Sequence, residues 1–138
     1  MKIVLFLTFI LISTLNFAQI RLSEKQIIFG KNEKIYLDIN PYKNLERFTP
    51  NIGEIKIAEE ILENTLTTKD LKLGNYYRQY AGFLKDGAKI LFINTSCKNV
   101  EYFEKNTFYP KGGGKCYFRS FVNIKTNKME KFIESAPK

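Results

Sequence analysis

Few side chains in this 138-residue chain have the types and spacing that catalysis needs. The sequence contains no histidine, which excludes Ser-His-Asp and Cys-His triads and histidine-ligated zinc sites. Glu59, Glu60 and Glu63 are close enough in sequence to supply a catalytic carboxylate pair. Acid–base catalysis also needs a pocket that shifts a pKa, so a solvated helix surface is the simpler interpretation. We therefore expect a non-enzymatic protein with no catalytic residue, no metal and no cofactor.

Cys97 and Cys116 are the only cysteines. In a small exported domain an even number of cysteines is typical of a disulfide, which here would contribute about 3 kcal/mol. The alternatives are two buried thiols or a redox pair, although a redox pair normally has Cys-x-x-Cys spacing. The sequence favours a structural disulfide.

Gly112, Gly113 and Gly114 stand between Lys111 and Lys115 and offer backbone N–H groups to an anion. The run lacks the spacing of a phosphate-binding P-loop, and it precedes a predicted strand where a P-loop precedes a helix. A loop tip is the alternative interpretation.

Residues 1–18 have the pattern of a secretory signal peptide, with a basic start, an apolar run of about ten residues and a small residue, Ala18, at the expected cut. A membrane anchor needs roughly 20 apolar residues, and Ser13 and Thr14 interrupt the run too early. Removing 18 residues from 138 leaves 120. We expect a soluble periplasmic or secreted protein with no stable membrane anchor after cleavage.

The net charge of +8 falls to +7 when Lys2 leaves with the signal peptide. The remaining lysines are spread singly, without the run of about four to eight basic residues that marks a nucleic-acid or anionic-membrane patch. This distribution predicts a soluble basic surface and no nucleic-acid partner.

A β-hairpin is the strongest structural signal in the chain. Residues 76–83 and 89–95 are rich in aromatic and β-branched residues and flank Asp86-Gly87. Asp-Gly suits a type I′ turn, which needs positive φ at both central residues. A two-residue loop of this kind pairs Phe83 with Ile90.

One helix is predicted at residues 52–66. Asn51 and Glu54 have the spacing of a capping box. One apolar stripe follows the helical period and consists of Ile55, Ala58, Ile61, Leu62 and Leu66.

Two further strands are predicted at residues 116–124 and 128–134. The chain is therefore expected to be α+β, with one helix packed on a four-stranded antiparallel meander over residues 48–138. Residues 19–47 contain two short apolar runs. We interpret them as a small hairpin or as two extended segments that cover the domain.

The predicted strand pairing gives the sheet an aliphatic face for the helix and an opposite face that is too aromatic to be solvated. Residues 20–48 would cover this second face, or it would bind a protein partner, a dimer mate or an apolar ligand. Its candidate binding residues are Tyr77, Gln79, Phe92, Tyr117, Arg119 and Phe121, and Phe132 is predicted on the same face. Gln79 and Arg119 would orient a ligand; alternatively, Gln79 is an ordinary strand amide and Arg119 pairs with Glu134 across two strands.

The chain resembles an uncharacterised family of small exported bacterial proteins, and its outline resembles the cystatin-like and NTF2-like folds. Four motifs carry the family resemblance, namely Phe48-Thr49-Pro50, Tyr76 to Gly82, Asp86-Gly87 and Gly113 to Phe118. The resemblance extends from Phe48 to the C-terminus and implies no particular activity.

The fold outlines suggest two alternatives to a binding or structural domain. One is a cystatin-like protease inhibitor, but such inhibitors present Gln-x-Val-x-Gly at a hairpin and a Pro-Trp loop. Here Gln79 to Gly82 lies inside a predicted strand and the chain has no tryptophan. The other is an NTF2-like small-ligand binder or enzyme, which the missing histidine and the single helix disfavour.

Overall fold

A computed structural model of the chain describes residues 19–101, 103–107 and 110–137. The expected signal peptide, residues 1–18, lies outside the described residues. The strands are β1 (Gln19–Ser23), β2 (Gln26–Phe29), β3 (Arg47–Phe48), β4 (Tyr77–Lys85), β5 (Ala88–Ser96), β6 (Tyr117–Asn123) and β7 (Lys128–Glu134), and the helix is α1 (Ile52–Thr67).

Within the described residues the sheet has seven strands, so the prediction of a four-stranded sheet is wrong. The strand order is β1-β2-β4-β5-β6-β7, and β3 pairs with the second half of β4. Only β2 and β4 run parallel among these paired strands. The additional strands have five, four and two residues, too few to show a clear alternation in the sequence. The α+β class, with one helix and a mostly antiparallel sheet, is confirmed.

The hairpin of β4 and β5 has the predicted register, with Phe83 opposite Ile90. Its turn residues both have positive φ, 51° at Asp86 and 76° at Gly87. The Asp-Gly turn therefore fixes which side chains of β4 and β5 point to each side of the sheet.

The helix begins with the predicted capping box. Asn51 Oδ1 accepts a hydrogen bond from the Glu54 N–H at 2.8 Å, and Glu54 Oε2 accepts one from the Asn51 N–H at 3.1 Å. The buried helix residues are Ile55, Ala58, Leu62 and Leu66. They pack on the side of the sheet that we call the helix face, formed by Tyr80, Leu91, Ile93, Phe118 and Val122.

The other side of the sheet, which we call the aromatic face, is covered by irregular chain. Its central residues are Ala81, Phe83, Ile90, Phe92 and Phe121. Tyr42 and Phe103 belong to the same buried cluster, and further cover comes from Ile35, Leu37, Ile39, Leu45 and Val100. Because these covering residues lie outside the strands and the helix, no periodic pattern in the sequence marks them.

Phe132 lies on the helix face, so its predicted place on the aromatic face is wrong. A register shift between Phe121 and Val122 changes the alternation along β7. Phe132 consequently pairs with Ser120 and its ring lies 5.2 Å from the Phe118 ring.

The proposed pairing of Arg119 with Glu134 is also wrong. Arg119 stands opposite Ile133, and Glu134 forms an ion pair with Lys69 at 3.2 Å.

Cys97 and Cys116 form the predicted disulfide, with their Cα atoms 4.7 Å apart. The bond joins the end of β5 to the start of β6 and closes the loop between them. Within the described ranges, we find no helix with both the length and the apolar composition of a membrane span.

Candidate functional site

All six candidate binding residues lie on the aromatic face, but most of them are buried. Phe92, Phe121 and Gln79 are fully buried, and Tyr117 and Arg119 are nearly so. Tyr77 is half-buried. The structure therefore brings the six together on one face and leaves little of that face accessible.

Phe92 and Phe121 lie at the centre of the aromatic face and pack within the protein. Their ring centroids are 5.0 Å apart. Tyr42 stacks on Phe121 at 3.9 Å with an interplanar angle of 13°. The chain's own covering segment thus occupies the position that a ligand would take over these two rings.

Gln79 orients a loop of the protein itself. Its Nε2 donates to the carbonyl oxygens of Phe103 and Asn106, each at 2.7 Å. Its Oε1 accepts a hydrogen bond from Asn94 Nδ2 at 2.8 Å. This buried amide holds the loop after β5 against β4, because leaving those groups unpaired would cost free energy.

The other three candidates line three separate pockets. Arg119 lines a pocket of about 270 Å³ together with Tyr36, Asp38 and Ile133. Tyr117 lines one of about 430 Å³ beside the disulfide. Tyr77 lines one of about 580 Å³, which we call the Tyr77 pocket.

The Tyr77 pocket lies between the β1–β2 hairpin and the loop that follows β5. The β1–β2 hairpin supplies Arg21 and Glu24, and the loop after β5 supplies Asn99, Phe103 and Lys105. The Tyr77 and Phe103 rings meet edge to face, with centroids 5.6 Å apart and an angle of 80°. The ammonium group of Lys25, which is not a lining residue, lies 5.4 Å from the centre of the Tyr77 ring. The pocket is thus lined by an aromatic pair and by charged side chains.

Both signs of charge line the Tyr77 pocket. Arg21 and Lys105 are cations, and Glu24 and Glu104 are carboxylates. Arg21 forms an ion pair with Glu104 across the pocket, and these side chains are 44% and 58% exposed. A ligand with separated positive and negative groups would find partners for both at this rim.

The glutamates of α1 hold the helix in place. Burial and the charge of Glu59 raise the pKa of Tyr80, whose hydroxyl donates to Glu59 Oε1. Arg78 pairs with the same carboxylate at 2.9 Å. The carboxylate of Glu63 accepts the Leu73 N–H at 3.3 and 3.4 Å. The interpretation of these glutamates as a purely solvated surface is therefore wrong for Glu59 and Glu63.

A second polar cluster fixes the cover of the aromatic face. Glu130 accepts hydrogen bonds from Tyr42 at 2.8 Å, Lys85 at 2.9 Å and Asn123 at 3.1 Å. Partial burial acts to raise the pKa of Glu130, but these hydrogen bonds outweigh it and the pKa is lowered. Burial and the nearby Glu130 raise the pKa of Tyr42.

Within the described ranges, no group of three or more His, Cys, Asp or Glu residues could hold a metal ion.

Most residues of the Tyr77 pocket have no recognisable pattern in the sequence. Arg21, Glu24 and Lys105 are ordinary charged residues far apart in the chain, and Phe103 lies in a loop without periodicity. They meet because β2 pairs in parallel with β4 and because Gln79 fixes the loop. Long-range contacts of this kind leave no local pattern.

Comparisons of the chain with protein-family models, with curated proteins and with solved structures found no match. The resemblance to small exported bacterial proteins and the cystatin-like and NTF2-like outlines stay predictions.

Proposed function

We propose that this protein is an exported, non-enzymatic binding domain, active in the periplasm or outside the cell, that holds an extended segment of a partner protein at the Tyr77 pocket. The observation that carries the proposal is the pocket itself, about 580 Å³ in volume and bounded by an aromatic pair and by charges of both signs. Peptide segments offer side chains of both charges together with apolar groups, so this lining suits them.

The edge strand beside the pocket supports an extended ligand. In the described part of the sheet β1 is an outermost strand, and its one paired neighbour is β2. Arg21 lies in β1 and also lines the pocket. A segment that pairs with the free edge of β1 would run beside the pocket and direct alternate side chains toward it.

The residues with shifted pKa values support a non-enzymatic function, because they form hydrogen bonds within the fold. Tyr80 hydrogen-bonds with Glu59 and Gln26, and Tyr42 hydrogen-bonds with Glu130. These groups connect the covering elements to the sheet and do not line the Tyr77 pocket. Protease inhibition and small-ligand chemistry remain alternative predictions; Gln79 to Gly82 lies within β4, where Gln79, Tyr80 and Ala81 are buried.

The proposal is tested with a displayed library of random peptides selected on the mature protein. Asn99→Trp would place a large ring at the pocket without removing a charge, and Asn32→Trp makes the same change at an exposed turn that does not line it. We expect selected peptides to bind Asn99→Trp at least about tenfold more weakly, a loss of about 1.4 kcal/mol, and to bind Asn32→Trp normally. Selection of no peptide, or equal binding to both variants, would contradict the proposal.

A further inference from the structure

A second pocket, of about 430 Å³, lies at the end of the sheet where β5 stops and β6 begins, and we call it the disulfide pocket. Its lining includes Lys98, Lys115, Tyr117 and Pro137, with Cys116 and the glycine run beside them. The pocket is separate from the Tyr77 pocket and shares no lining residue with it.

The disulfide brings the two lysines of this pocket together. Lys98 follows Cys97, and Lys115 precedes Cys116. The bonded cysteines are 19 residues apart in the chain, and the Cys97 N–H also donates to the Cys116 carbonyl at 2.8 Å. Two cations that are distant in sequence therefore border one concave surface.

Hydrogen bonds fix the backbone at both lysines. The Lys98 carbonyl accepts the Ser96 hydroxyl at 2.5 Å, and the Lys98 N–H donates back to Ser96 Oγ at 3.2 Å. The Lys115 carbonyl accepts the hydroxyl of Tyr76 at 2.9 Å. The backbone from which both lysine side chains extend is thus already ordered in the free protein, which lowers the entropy cost of binding a ligand.

The described residues that line the disulfide pocket carry charge of one sign. None of them is a carboxylate, and neither lysine forms an ion pair with a described residue. Lys43, Lys69 and Lys85, by contrast, each pair with a carboxylate. Two cations that form no ion pair with the described residues, side by side at one pocket, favour a ligand with concentrated negative charge.

Glycine at position 113 lets the backbone that lines the pocket pack directly against the Tyr117 ring. Gly113 has a φ of 104°, and a Cβ atom there would lie 2.6 Å from the Tyr117 ring. Only glycine fits this position, which brings the main chain against the aromatic ring. Tyr117 and Pro137 add apolar surface beside the charged groups.

The geometry points to a binding site for a phosphate or sulfate group between Lys98 and Lys115. The oxyanion binds the two ammonium groups, and any small organic group attached to it lies against Tyr117 and Pro137. This site does not depend on peptide binding at the Tyr77 pocket, so either proposal can fail without the other.

The test is a titration of the isotope-labelled mature protein with inorganic phosphate, inorganic sulfate or glycerol phosphate at constant ionic strength, followed by backbone amide NMR. We expect saturable shifts at Gly112 to Cys116 and at Lys98. The double variant Lys98→Gln, Lys115→Gln should bind the anion about tenfold more weakly. Each exposed lysine–anion pair contributes a factor of about three, and the two factors multiply. The matched control, Lys125→Gln with Lys128→Gln, removes the same charge at the opposite end of the β6–β7 hairpin and should bind normally.

Tighter binding of glycerol phosphate than of inorganic phosphate supports the site and indicates that its ligand is a phosphate ester. Equal binding of the two supports the site as one for the free anion. Shifts that do not saturate, shifts spread over the whole surface, or an equal loss in both double variants would overturn the inference. The amide spectrum of each variant reports its folding, so loss of binding in a folded protein is distinguishable from loss of the fold.

Discussion

The two faces of the sheet are closed by different kinds of structure. The helix face is covered by one 16-residue helix with four buried positions. The aromatic face is covered by a largely irregular segment, which contains one short 3₁₀ helix (Tyr42–Asn44), and by the loop that contains Phe103. A helix satisfies its own backbone hydrogen bonds, whereas irregular chain needs partners from elsewhere. The buried amide of Gln79 supplies such partners by donating to two loop carbonyls, and Glu130 holds the cover through the side-chain hydroxyl of Tyr42.

The difference between the faces also locates the pockets. The Tyr77 pocket borders the loop that covers the aromatic face, and the Arg119 pocket borders the segment around Ile39. Both pockets thus lie beside loops on the surface of the protein, where binding residues are commonly found. We therefore place binding at the margin of the aromatic face and treat its centre as core.

If the centre of the aromatic face is core, truncating it should cost as much as truncating the helix face. Leu62 and Phe121 are both fully buried. We expect Leu62→Ala and Phe121→Ala each to lower the free energy of unfolding by about 3–4 kcal/mol. Denaturant unfolding of the two variants measures this directly. A loss below about 1 kcal/mol for Phe121→Ala alone would show that its cover is loose.

The disulfide should affect the two faces unequally, because it closes the loop that covers the aromatic face. Replacing Cys97 and Cys116 by serine should lower the free energy of unfolding by about 3 kcal/mol in the chain-entropy model. Amide hydrogen exchange should accelerate most in the loop at residues 98–101 and 103–107 and least in α1. Equal acceleration in both would show that the disulfide does not act through this cover.

The smallest effect is a pH dependence at Glu130. Its pKa is lowered in the folded protein, so its carboxylate stabilises the fold at pH values above the ordinary value of 4.5. That contribution is lost as the pH falls through the folded pKa. Glu130→Gln should therefore cost less than about 1 kcal/mol near neutral pH, and the difference from wild type should shrink in acid.

The control for Glu130 is Glu60→Gln, which changes an exposed glutamate of α1 on the other side of the sheet. We expect its free energy of unfolding near neutral pH to stay within about 0.5 kcal/mol of the wild-type value. A constant difference between wild type and Glu130→Gln down to strongly acid pH would show that the hydrogen bonds from Tyr42, Lys85 and Asn123 do not favour the charged carboxylate.

Sequence patterns predicted the local structure well. The Asp86-Gly87 turn, the register of β4 with β5 and the Asn51–Glu54 cap each follow from a few neighbouring residues, and all are confirmed. The disulfide pairing followed from the count of cysteines.

Long-range structure was predicted less well, for physical reasons. One register shift in β6–β7 moved Phe132 to the helix face, because a single extra residue reverses the alternation of a strand. The parallel pairing of β2 with β4 has no local signal and accounts for part of the seven-stranded sheet. Gln79 was predicted either to orient a ligand or to be an ordinary strand amide, and in the structure it orients the loop at Phe103 and Asn106. The Tyr77 pocket depends on these contacts and could not be predicted.

Hydroxyl-radical footprinting of the protein tests most directly whether the centre of the aromatic face is core. Tyr36 lies in the covering segment and is 65% exposed, whereas Phe92 and Phe121 are 0% exposed. We predict rapid oxidation of Tyr36 and protection of both phenylalanines in the protein alone. Oxidation of Phe92 and Phe121 at rates comparable to that of Tyr36, once corrected for intrinsic reactivity, would contradict the account and make the centre of this face the binding surface.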